Sequence, residues 1–87
     1  MKEKPAQAVV KEWRIRSGLA QDDLGIKIGD PGGQYQRWES GIRPTLPLRM
    51  KVKLSLISAI PLAQVVDPDE LETAREIVVA MARDAVR

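Results

Sequence analysis

The sequence predicts an all-α fold, with five short helices in front and one longer amphipathic helix behind. Three observations carry that expectation. Apolar residues recur at three- and four-residue spacings along most of the chain. Glycines at 18, 29 and 41 divide the front half into segments of short-helix length. The pair Asp-Pro occurs twice, at 30–31 and 67–68. In that order Asp can cap a helix, and Pro takes the first helical position, where its missing donor costs nothing.

The elements follow in order. Pro5 suits a first helical turn, and Ala6 through Arg16 holds no breaker. Helical spacing puts Ala6, Val10, Trp13, Arg14 and Ser17 on one face, and Gly18 stops the helix. A second helix is expected over Gln21–Ile28, with Leu24 and Ile28 inward and Asp22 and Asp23 at its positive end. The third is expected from Asp30-Pro31 to about Ser40, with Tyr35 and Trp38 facing the first two. Three short helices joined by tight glycine-containing turns make a helix-turn-helix layout.

Residues 46–56 fit two periods. Leu46, Leu48, Met50, Val52, Leu54 and Leu56 alternate with other residues as a strand would. The same residues form two i,i+4 rows, 46-50-54 and 48-52-56. The helical surroundings favour a helix over Pro47–Ser58, and strand remains the alternative. A short helix at Pro61–Val66 closes the core. The last helix, Pro68–Val86, carries Leu71, Ala74, Ile77, Val78, Met81 and Ala85 on one stripe, which must fold back on its own domain or meet a second copy; it is read here as the dimer or partner interface.

Composition narrows the chemistry. The 87 residues suit one domain, here read as 1–66, with 67–87 as an accessory helix. A domain of ~60 residues buries only about 60% of its unfolded surface, so a second subunit would add stability. The chain has no Cys and no His, which excludes disulfides, thiol nucleophiles, His-dependent triads and zinc sites built on those ligands. No metal and no cofactor is expected. No apolar run approaches the ~20 residues of a membrane span, and no signal-peptide pattern opens the chain, so a cytoplasmic location is the default.

Charge is uneven. Residues 1–53 carry a net +5 and residues 54–87 a net −3. A basic front suits a grip on a polyanion, although surface charge also segregates without a role. The acidic clusters Asp22-Asp23 and Asp67-Asp69-Glu70 fall at predicted helix starts, where the helix dipole accounts for them, so no catalytic residue and no enzyme is read from them. The last helix is poor in Lys and Arg on its polar face, which argues against a lipid-surface role.

The run Trp13-Arg14-Ile15-Arg16-Ser17-Gly18-Leu19-Ala20-Gln21-Asp22-Asp23-Leu24 resembles the opening of the phage repressor and Cro-like (XRE-type) family of bacterial DNA-binding regulators. The resemblance continues through Ile28-Gly29 and Arg37-Trp38-Glu39-Ser40-Gly41, without gaps between blocks, and covers about residues 10–66. It implies a five-helix repressor-like domain of bacterial or phage origin. It implies that Gln21 bonds a phosphate and braces the recognition helix, and that residues 32–37 enter the major groove. Arg43 would approach the DNA backbone. Arg14 and Glu39 would form an ion pair tying helix one to helix three; buried, such a pair sets an angle, and exposed it is worth at most about 1 kcal/mol.

Gly32 and Gly33 depart from the family pattern, which often has polar readers there. They either loosen the first turn or let bare backbone approach a phosphate. Either way, base readout moves to Gln34, Gln36 and Arg37. Arg can grip guanine O6 and N7, and Gln can grip adenine N6 and N7. Lys11, Arg16, Lys27, Arg43, Arg49 and Lys51 are candidate phosphate neutralisers. The expected function is a transcriptional regulator, a homodimer on an inverted repeat, with recognition helices about 34–36 Å apart. The alternative is an antitoxin-type protein that binds its own operator and uses the last helix on a toxin or other protein partner.

Overall fold

The computed structural model describes residues 4–30 and 32–85. Among these the chain is wholly helical: α1 (Ala6–Arg16), α2 (Gln21–Lys27), α3 (Gln34–Glu39), α4 (Leu48–Ser58), α5 (Leu62–Val65) and α6 (Leu71–Ala85), with a 3-10 turn at Pro68–Glu70 leading into α6. No described residue lies in a strand, and no helix among them is long and apolar enough to cross a membrane.

The strand-like alternation of residues 46–56 has a helical cause. Leu46, Met50 and Leu54 pack into one cluster with Val10, Leu24 and Trp38, between α1, α2 and α3. Leu48 and Val52 face a second cluster, with Val66 and Ala74. Rows four residues apart, offset by two, sit on different sides of α4, so both sides are apolar and the sequence alternates. A helix placed between two clusters therefore shows period two without being a strand.

The stripe of α6 that faces the second cluster is Leu71, Ala74, Ile77, Val78 and Met81, packed against Val52 and Val66 of the same chain. Ala74 is wholly buried there, while Ala85 is exposed. Of the two outcomes open to this stripe, folding back on its own domain is the one observed. Val86 lies outside the described residues.

Two Asp-Pro pairs looked alike and behave differently. At Asp67 the backbone N–H donates to the Glu70 carboxylate at 3.1 Å, and Pro68 begins the 3-10 turn. The same carboxylate accepts from the buried Lys51 ammonium at 2.9 Å, which ties α4 to the entry of α6. Asp30 does not start its helix directly. Its carboxylate accepts the N–H groups of Gly32 at 3.2 Å and Tyr35 at 2.7 Å, and α3 begins only at Gln34. Gly33 precedes it with φ +73°, a left-handed conformation that glycine adopts without strain. The third helix is thus shorter than the Asp30–Ser40 span expected, and Pro31 lies outside the described residues.

Ala59 ends α4 with φ +63°, the one described non-glycine residue at positive φ. A Cβ in that region costs about 1–2 kcal/mol. Ala59→Gly should therefore stabilise the protein by about 1 kcal/mol, or about 4–8 °C in Tm for a domain of this size. Thermal denaturation followed by circular dichroism checks it; an unchanged or lowered Tm contradicts it.

Candidate nucleic-acid interface

α3 divides its six residues cleanly. Tyr35, Trp38 and Glu39 are buried, Gln36 and Arg37 are exposed, and Gln34 is half-buried. Such a short helix has little stability of its own. Its orientation is fixed from behind by the Glu39 carboxylate, whose side chain is 1% exposed.

Four donors converge on that carboxylate. Arg14 of α1 reaches it twice, through Nε to Oε2 at 2.9 Å and Nη2 to Oε1 at 2.8 Å. Gln21 of α2 donates Nε2 to Oε1 at 3.0 Å, and the Tyr35 hydroxyl donates to Oε2. The remaining end of the guanidinium donates Nη1 to the Leu19 carbonyl at 2.8 Å, in the turn before α2. A bidentate Arg–carboxylate pair is both strong and directional. No buried side-chain N or O among the described residues lacks a partner, so the charge cluster meets the condition under which burial is tolerated.

Protonation energetics follow from this arrangement. Burial alone would push the Glu39 carboxyl up, but the bonds from Arg14, Tyr35 and Gln21 outweigh it and hold it below the usual carboxylate range. Burial and the Glu39 bond push the Tyr35 hydroxyl well above its ordinary value, so it stays a donor. The Arg14 guanidinium is held still more firmly protonated by its bond to Glu39. Asp30 is also held low: burial opposes its charge, but the backbone N–H groups of Tyr35, Gln34 and Gly32 prevail.

On the outer side, Gln21, Gly33 and Gln36 line one cleft between α2 and α3, together with Asp22, Gly25 and Ile26. Lys27 is exposed at the end of α2. Arg37 donates Nη2 to the Gly32 carbonyl at 2.8 Å, so its guanidinium is drawn toward the turn that precedes α3. Arg43 is half-buried in the following loop, with Nε donating to the Thr45 carbonyl at 2.9 Å.

Two expectations are corrected here. The Gly32 N–H is taken by Asp30 and is not offered to a phosphate. Lys51, read as a surface cation, has a side chain only 6% exposed and is paired with Glu70. Sequence reasoning also missed the Tyr35 hydroxyl as a member of the Glu39 cluster, because an inward tyrosine reads simply as core. Lys11, Arg16 and Arg49 are exposed. No group of three potential metal ligands occurs among the described residues. Compared with protein-family models, curated proteins and solved structures, the chain matches none.

Removing one partner of the buried pair strands the other. Arg14→Ala should cost about 3–5 kcal/mol in urea denaturation, since Glu39 would keep its charge without its main donor. A loss below about 1 kcal/mol would contradict the arrangement. Because the folded Glu39 value lies below the unfolded one, its stabilisation is present above the ordinary carboxylate range, around pH ~4.3, and is lost as pH falls through the lowered folded value. Stability measured from pH 6 to pH 2 should therefore fall on the acid side, and Glu39→Gln should reduce that slope; a pH dependence unchanged by the substitution contradicts it.

Proposed function

We propose that this chain is a sequence-specific double-stranded DNA-binding transcriptional regulator, with a repressor-like helix-turn-helix formed by α2 and α3, acting as a homodimer on an inverted-repeat operator. The observation that carries the reading is the division of α3. Two residues able to bond base edges, Gln36 and Arg37, lie on the side away from Tyr35, Trp38 and Glu39, which are buried, and half-buried Gln34 stands at the border between the two sides.

Four further features support it. The Glu39 cluster ties α3 to both α1 and α2, which gives a reading helix the fixed aim that base contacts require. Gln21 and Gln36 line the same cleft, and the Gln21 amide braces the reading helix from it through its bond to Glu39. Exposed Lys27 stands at the end of α2, and residues 1–53 carry a basic excess. Arg37 has four N–H groups left after its bond to Gly32, enough for a bidentate guanine contact.

Selection of bound duplexes from a random pool tests the function. An enriched inverted repeat is the expected result, and no enrichment at low salt overturns it. On the selected duplex, Arg37→Ala should weaken binding by about 1–3 kcal/mol and relax preference at one base position. Anisotropy titrations on selected and scrambled duplexes check this; equal losses on both would make Arg37 a backbone contact instead.

A further inference from the structure

We propose that two copies of this chain pair antiparallel through the outer face of α6, with the two-fold axis crossing the helix near Val79 and Ala80. The inference rests on the homodimeric reading above and names the surface that makes it.

The inner stripe of α6 is already spent on Val52 and Val66. Beyond it lies an apolar hollow lined by half-buried Val78, at the edge of that stripe, with Val79, Ala82 and the side chain of Arg83. Val79, at the centre of the hollow, is 50% exposed. The charges on one flank of it are ordered, while exposed Arg75 stands on the other flank. At 3.6 residues per turn, Glu72, Glu76 and Arg83 fall along one side of the Val79 line, acid toward the N-terminal half and base toward the C-terminal half. All three are exposed, and none forms an ion pair with another described residue.

That order is self-complementary in one direction. Antiparallel packing about the 79–80 midpoint sets Glu76 opposite Arg83 of the second copy and, by symmetry, Arg83 opposite its Glu76. Glu72 then approaches the same Arg83, and both ion pairs lie along one flank of the apolar centre. The helix dipoles also oppose each other in this arrangement. Parallel packing aligns the dipoles and sets Arg83, which borders the hollow, against Arg83 of the second copy. The complementarity therefore selects a second copy, inverted, as the occupant.

Sedimentation equilibrium of the full chain without DNA, in low salt, tests the pairing. A concentration-dependent monomer–dimer equilibrium is expected. Glu76→Arg and Arg83→Glu should each raise the dimer dissociation constant about tenfold, and the double variant should return to within about threefold of the parent. Both positions are exposed, and unchanged helical circular dichroism verifies that each variant folds. A parent chain that stays monomeric, or a double variant no tighter than the singles, overturns the proposal. Failure here is distinct from failure of DNA reading: a monomer that still binds a half-site duplex through α3 refutes the pairing alone.

Discussion

The carboxylate of Glu39 is where α1, α2 and α3 meet, and the rest of the front half is arranged around keeping it charged. Six residues of helix, about 9 Å at 1.5 Å per residue, cannot hold their own direction in water. Arg14 supplies two parallel bonds from α1, Gln21 one from α2, and Tyr35 one from within α3. A buried ion pair of this kind adds little net stability, because desolvation cancels much of the attraction. Its value is directional: an apolar replacement would fill the same space without fixing how α3 is rotated. The outward aim of Gln36 and Arg37 is a consequence of what holds Glu39.

The back half solves a different problem. α4 stands between two apolar clusters and is buried on both sides, so it needs α6 as a cover. Lys51 and Glu70 fix where that cover begins. One carboxylate accepts both the Asp67 N–H and the Lys51 ammonium, joining a helix start to the side of another helix. Burying Val52, Val66 and Ala74 then makes α6 part of the domain.

Much of this was legible in the residues, and the exceptions have physical reasons. Gly18, Gly29 and Gly41 mark helix ends because left-handed backbone is cheap only there, and all three have positive φ. The start of α3 was misread because Asp30-Pro31 and Asp67-Pro68 share a signature. They diverge at the next residues: Gly-Gly follows the first and allows a wide turn, while Glu70 follows the second and can reach back to the Asp67 N–H. Lys51 looked like a surface cation because its partner lies nineteen residues away, beyond any local pattern. The stripe of α6 was legible as apolar, but amphipathicity says that a face is covered and not by what. The pairing of positions 14 and 39 was expected only through the family resemblance, since no rule of spacing joins residues twenty-five apart.

In the function we propose, the outer side of α3 reads duplex DNA. Amide chemical-shift mapping of isotopically labelled protein, titrated with selected operator duplex, addresses it at the level of single residues. The largest shifts are expected on Gln34, Gln36, Arg37 and Lys27, while the buried contacts of α6 with Val52 and Val66 stay unperturbed. Shifts confined to α6, or none on α3 at saturating duplex, would contradict it.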